Sequence, residues 1–356
     1  MKKLSTLTIL FFAAIFINVQ AQDSTKSLTF SGGIDAYYRY NFSDAVNNFT
    51  SFTNSQSSFE LGMASLRADA SALAGKVTAT VDLGFGRRAE EFSYNDGTTS
   101  GKNGFASLSN IKQLYVTYAA SDKVKFTAGK FGTHVGYELL DAPLNRNYSM
   151  SYMFTNGPFF HTGIKADITA GPVAFMLGFS NYTDQSTATN NVKSILAQVS
   201  GGSKNGKFKA YINYVGSFGS KSLAIPGNLE SLHQVDVVVN TTLSSKFGIG
   251  FNGTVQSRKT STTSGSWWGS ALYFNYDASN KVGLTLRSEY IGDSKVVYFT
   301  TKNIFANTLS LNYKIGPLTI LPELRYETAE TAIFAKSNGT AIKSTFTGLL
   351  AVLYKF

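Results

Sequence analysis

The chain has 356 residues, no cysteine, and 15% charged residues, against roughly 25% in soluble domains. Aromatic residues make up 14%, with 28 Phe and 19 Tyr, and mean hydropathy is −0.05. These values exclude a disordered chain, a disulfide framework, a thiolate metal site and a bundle of membrane helices. An all-β domain fits them, in water or as a membrane barrel.

The N-terminus addresses the compartment. Lys2 and Lys3 precede an apolar run from Leu4 to Ile17, interrupted by Ser5, Thr6 and Thr8, and Val19-Gln20-Ala21 follows with small residues at the cleavage positions. A run shorter than the roughly 20 residues of a spanning helix, with a basic head, predicts a secretory signal. Cleavage after Ala21 leaves residues 22–356 as a single domain and lowers the net charge from +10 to +8. In an exported chain that excess is no argument for nucleic acid, and none is expected as a partner. No later segment holds 18 consecutive apolar residues. A membrane would therefore be crossed by strands, since only helices and closed barrels satisfy the backbone in lipid.

The rest of the chain repeats one local pattern. Over 28–42, one parity holds Leu28, Phe30, Ile34, Ala36, Tyr38, Tyr40 and Phe42, and the other holds Thr29, Asp35, Tyr37, Arg39 and Asn41. Such alternation predicts a strand with one apolar and one polar face. Comparable segments fall near 59–72, 76–88, 108–120, 123–132, 160–170, 173–181, 193–201 and 207–217. They continue at 232–243, 245–257, 267–277, 281–293, 303–315, 317–328 and 345–356. About sixteen strands result, with short turns alternating with longer loops, the pattern of an outer-membrane up-and-down antiparallel β-barrel. Asn205-Gly206 marks a tight hairpin. The longer loops are expected near 43–58, 89–107, 133–159, 182–192, 218–231, 258–266, 294–302 and 329–344. Parity is irregular around Ser65 and in Lys112-Gln113-Leu114-Tyr115, and Pro322 within a strand predicts a bulge.

The chain ends Leu353-Tyr354-Lys355-Phe356. The aromatic last residue, with Tyr354 two before it, resembles the signal read by the outer-membrane barrel assembly machinery. Val81-Asp82-Leu83-Gly84-Phe85-Gly86-Arg87-Arg88, Ile111–Tyr118, Gly129–Glu138 and Asn156–Gly163 resemble the OmpL-like β-barrel porins of Gram-negative bacteria. The resemblance is sharpest over about 28–170 and continues afterwards as strand pattern. It implies an outer-membrane channel for passive diffusion of small solutes.

In a membrane barrel the polar parity faces the lumen and the apolar parity faces outer-membrane lipid. The lumen candidates are Asp35, Arg39, Arg67, Asp69, Asp82, Arg88, Lys165, Asp167, Lys209, Asp236, Arg258, Arg287, Glu289, Lys314, Glu323, Arg325 and Glu327. Nine are basic and eight acidic, so the wall predicts no strong ion selectivity. Mutual salt bridges sealing a plugged interior are the alternative. By analogy with sixteen-stranded porins, the loop 133–159 folds inward, setting Glu138, Asp141 and Arg146 against wall residues such as Arg39 and Arg88. Tyr38, Tyr40, Tyr118, Trp267, Trp268, Tyr290, Tyr313 and Tyr354 are candidates for aromatic girdles, with loop packing or sugar contact as the other reading of the tryptophans.

Catalytic motifs are missing. His134, His161 and His233 have no HExxH spacing, no GxSxG occurs, and the GxG at Gly84 has no helix to open. No metal, cofactor or catalysis is expected. The leading expectation is a porin, possible as a homotrimer by analogy. The second is a non-conducting barrel whose extracellular loops bind a partner or surface glycan. The third is an exported soluble carbohydrate-binding protein.

Overall fold

Alternation leaves one apolar face on each strand, and closing the sheet on itself turns all those faces the same way. The computed structural model describes residues 26–94, 106–188, 191–219, 229–296, 299 and 301–356. The expected signal and its cleavage site after Ala21 lie outside the described residues.

The strands are β1 (Ser27–Asn41), β2 (Ser58–Ala72), β3 (Val77–Phe85), β4 (Ile111–Ser121), β5 (Val124–Gly132) and β6 (Phe160–Ala170). They continue as β7 (Val173–Asn181), β8 (Lys193–Gly202), β9 (Phe208–Phe218), β10 (Leu229–Thr242), β11 (Phe247–Thr260) and β12 (Ser264–Asp277). The last are β13 (Val282–Gly292), β14 (Asn303–Ile315), β15 (Leu318–Ala329), the small hairpin β16 (Phe334–Ala335) and β17 (Ala341–Ile342), and β18 (Ser344–Lys355). Sixteen of them form a closed barrel in chain order, with β18 returning to β1. Along that seam Gly33 lies opposite Lys355 and Asn41 opposite Thr347. Beyond the last strand residue, Phe356 and Gly32 exchange two backbone hydrogen bonds of 3.1 Å.

Facing outward and exposed are Leu28, Phe30 and Ile34 on β1, Val116 and Tyr118 on β4, Leu309 and Tyr313 on β14, and Leu350 and Val352 on β18. Facing inward and buried are Asp35, Arg39, Asp82, Asp236, Arg287, Glu289, Glu323, Arg325 and Glu327. A water-soluble domain reverses this arrangement; a barrel in lipid requires it.

The parity irregularities are β-bulges. Asp35 lies opposite Met63 and Ala36 opposite Leu61, so Gly62 is an extra residue and the outward series shifts from Phe59 and Leu61 to Ala64 and Leu66. Likewise Asp82 lies opposite Gln113 and Leu83 opposite Ile111, leaving Lys112 extra. The bulge expected at Pro322 is not there: Leu321, Pro322 and Glu323 pair in unbroken register with Ala351, Leu350 and Leu349. A proline φ suits an extended strand, which loses a donor there without gaining a residue.

Three segments depart from the periodicity. Strand β3 stops at Phe85, not at 88, because Gly86 takes φ 112° and α1 (Arg87–Phe92) follows. Strand β4 begins at Ile111, not at 108, after a 3-10 turn over Ala106–Asn110. The expected loop 258–266 shrinks to 261–263, because β11 and β12 continue as a polar ribbon past the apolar band. Trp267 leaves the expected girdle: it is buried inside and donates to Gln256 Oε1 (3.2 Å), while Trp268 faces out and stacks on Tyr290. Adjacent residues of one strand must point to opposite faces.

Candidate functional site

Residues 133–159, joining β5 to β6, enter the barrel and cross it. Their neck is closed by Thr133 N–H donating to the Phe159 carbonyl (3.0 Å). The descending arm is held by side chains of the far wall. Gly136 N–H donates to Asp236 Oδ1 (3.0 Å), Tyr137 N–H donates to Asn252 Oδ1 (3.3 Å), and the Tyr137 ring stacks on Tyr273 at 3.9 Å. At the lowest point Arg146 binds Asp277 (2.8 Å) and Thr285 Oγ1 (2.7 Å), beside the short-turn end of β12.

The ascending arm lends its backbone donors to wall carboxylates. Tyr148 and Ser149 N–H donate to the two oxygens of Glu323 (2.7 and 3.1 Å), and Tyr152 N–H donates to Glu289 Oε2 (2.8 Å). The Tyr148 hydroxyl donates to Asp35 Oδ2 (2.5 Å) and the Tyr152 hydroxyl to Glu327 Oε1 (2.8 Å). A short helix, α2 (Tyr152–Asn156), is capped by the Ser151 side chain, which accepts from Phe154 N–H. At the loop's end Asp184 Oδ1 accepts from Phe159 and Phe160 N–H (2.6 and 3.0 Å). Burial pushes the Asp184 carboxyl up to about 7, against the pull of those two N–H groups. Glu91 in α1, which accepts from Phe52 N–H (2.6 Å), is also raised by burial.

Charges along the wall alternate. Glu138 meets Arg287 (2.5 Å), Arg287 meets Glu289 (3.3 Å), Glu289 meets Arg325 (3.1 Å), and Arg325 meets Glu327 (2.9 Å). Buried ions of this kind are tolerable when each has an opposite neighbour and hydrogen bonds for its remaining atoms. Here the loop carbonyls of Ser149 and Met150 accept from Arg287, and Met150 also accepts from Arg325. The chain of charges thus fixes where the loop lies.

The other expected site residues are placed as follows. Arg39 is buried on β1 and donates to Gln56 Oε1 (3.2 Å). Arg67 binds Asp69 through two hydrogen bonds (2.6 and 2.8 Å), and Asp69 accepts from Thr80 (2.7 Å). Asp82 and Asp141 both meet Lys112 (3.0 and 2.6 Å). Arg88 is not a wall residue: it sits in α1, fully buried between the rings of Phe52 and Tyr148, 4.9 Å from each centroid. Its guanidinium donates to the carbonyls of Leu140 and Tyr148 (3.1 and 3.3 Å). The loop charges therefore meet Arg287, Lys112 and Asp277, where Arg39 and Arg88 were expected. Tyr354 and Phe356 are exposed on the outer face beside the seam.

Sequence reading missed Lys112, Tyr148 and Tyr152. The bulge that turns Lys112 inward is the same feature that blurred the parity there. Tyr148 and Tyr152 lie in a loop, where no period reports direction. His134 and His161 do meet, with ring centroids 5.5 Å apart. Among the described residues no three His, Cys, Asp or Glu side chains converge.

The loop leaves the β1–β5 side unfilled. A cavity of about 460 Å³ remains there, lined on the wall by Ser31, Ser65, Arg67, Asp82, Lys112 and Gln113 and on the loop by Leu139, Leu140, Asp141 and Pro143.

Residues 27–356 match the family model described as "Putative beta-barrel porin-2, OmpL-like". The chain belongs to this family. It is an outer-membrane barrel of the Gram-negative type. Solved porins share the fold at low identity. The outer membrane channel DcaP of Acinetobacter baumannii is 12% identical, with TM-score 0.64 over 93% of this chain and 97% of that one. An anion-selective porin from Comamonas acidovorans (12%, TM-score 0.61) and OmpT of Vibrio cholerae (12%, 0.59) each align over 93% of this chain and 100% of theirs. Among curated proteins no sequence matches the chain.

In an OmpL-like barrel the short-turn end is periplasmic. Lysines crowd that end. Six of the seven short turns carry them at or beside the turn: Lys76; Lys123 and Lys125; Lys204, Lys207 and Lys209; Lys246; Lys281; and Lys314. Lys26, just before β1, and Lys355, at the end of β18, add to these on either side of the barrel seam, and all are exposed. Asp122 is interspersed among them and Asp167, opposite Lys125, is bound by Lys165 (3.0 Å), while Asp277 is bound by Arg146. At the long-loop end acids and bases mix and pair, as in Lys259 with Glu230 (2.7 Å) and Lys302 with Glu330 (3.9 Å).

Proposed function

We infer that this chain, exported and cleaved after Ala21, forms a channel for passive diffusion of small hydrophilic solutes without catalysis. Solutes pass between the inserted loop and the β1–β5 wall. The cavity of about 460 Å³ between them carries the reading, because Ser31, Ser65, Arg67, Asp82, Lys112 and Gln113 give its wall a polar and charged surface. Asp35, Glu323 and Arg325 then act as the anchorage of the constriction, Arg39 ties β1 to Gln56, and Arg67, Asp82 and Asp141 line the passage itself. A homotrimer is part of the proposal, since OmpT of Vibrio cholerae takes a trimer form on the same fold.

The number of ties between loop and wall favours a second reading, in which the loop plugs the barrel and the extracellular loops bind a partner or glycan. Planar-bilayer recordings separate the two. The channel reading expects stepwise conductance from the purified full chain. A silent wild type, with conductance appearing once residues 136–156 are replaced by a short linker, would establish the plug.

A further inference from the structure

We propose that the periplasmic mouth is a cationic vestibule that makes this channel prefer small anions, and that rim lysines rather than the constriction set the preference. The inference rests on the channel reading above and names the solute class.

Strand parity aims the lysines at water. Lys209, Lys314 and Lys355 lie in or at the ends of strands whose neighbours Phe208, Tyr313, Ile315, Tyr354 and Phe356 are exposed on the outer, lipid-facing side. Successive residues alternate faces, so these ammonium groups border the aqueous opening and not the bilayer. A second cavity of about 490 Å³ opens at the same mouth and is lined by Lys207, Lys209, Lys246 and Arg146. Its one acidic lining residue, Asp277, is bound by Arg146 at 2.8 Å.

The interior cannot compete with this field. Glu138, Arg287, Glu289, Arg325 and Glu327 form an alternating chain, and Lys112 lies between Asp82 and Asp141. Pairing leaves one negative charge on each of these two clusters, whereas the many like charges of the rim add around a low-dielectric opening and concentrate counter-ions. Charges at the outer end are mixed and partly paired, so among the described residues the basic excess is concentrated at the periplasmic end. The near-even balance of the lumen candidates includes Lys209 and Lys314 but not the lysines within the turns, such as Lys204, Lys246 and Lys281.

Reversal potentials across planar bilayers in a KCl gradient test this. The wild type is expected to favour chloride over potassium by roughly threefold or more near 0.1 M salt, falling towards parity near 1 M, where the screening length shrinks to about 3 Å. The variant Lys209→Gln/Lys246→Gln/Lys281→Gln should at least halve that ratio while channels still open. The outer-rim control Lys302→Gln should leave it unchanged. A conducting wild type with a ratio at or below one overturns the inference and leaves the channel reading intact. So does a triple variant with the wild-type ratio. A wild type without conductance overturns the channel reading and this inference together.

Discussion

Glu138 on the inserted loop and Arg287 on β13 meet at 2.5 Å inside the barrel, with side chains 5% and 0% exposed. Neither would be tolerable there alone. Arg287 keeps Glu289 and two loop carbonyls as further partners, and Glu138 also accepts from Ser151 N–H (2.8 Å). The pair therefore joins wall, descending arm and ascending arm at one point.

Glu138→Gln keeps the shape and removes the charge. Leaving one member of a buried pair costs about 3 kcal/mol, and the cost falls on the loop because the barrel's own ladder is untouched. The expected outcome is protease cleavage within 133–159 under conditions that spare the wild type, with larger and noisier conductance. Wild-type resistance to cleavage would mean that the pair does not hold the loop.

Arg88→Lys tests the clamp between α1 and the loop. A lysine keeps the charge but loses the planar fork that reaches the carbonyls of Leu140 and Tyr148 while lying between two rings. Loss of about 2 kcal/mol is expected for the clamp's local opening. Hydrogen exchange at residues 140–150 should quicken, with the strands unaffected. Equal exchange in both proteins would refute the clamp.

Asp184 gives the loop's end a pH dependence. Its carboxyl is held at about 7 where an unperturbed aspartate would sit at 3.8. Between those values the folded protein keeps a proton that the unfolded chain has released. Stability from this group is therefore greatest below about pH 4 and declines as pH rises towards 7. Asp184→Asn, neutral throughout and still an acceptor for Phe159 and Phe160, should flatten the fall in melting temperature between about pH 4 and 7. Parallel curves for the two proteins would rule Asp184 out as its source.

Phe356→Ala separates assembly from stability. The backbone bonds of Phe356 to Gly32 survive the change, so refolding into detergent should proceed as in the wild type. If the aromatic end is the assembly signal, folded barrel in the outer membrane should fall several-fold in cells. Undiminished levels would show that the ring serves packing alone.

Sixteen strands, their near-continuous borders and the sorting of lipid and lumen faces were legible in the sequence, because alternation is local and repeats in every strand. Local reading failed where one inserted residue shifts the count, at Gly62 and Lys112, and where polar strand ends outrun the apolar band, at Thr260 and Ser264. Composition supplied the net charge but not its place: turn lysines gather into one rim once the barrel closes. What the tertiary structure alone decided is the path of the loop. Tyr148 and Asp35 are 113 positions apart, and Arg146 and Asp277 are 131 apart. No period along the chain encodes such pairs; they exist because closure brings distant carboxylates around a space that the loop's own backbone donors can satisfy.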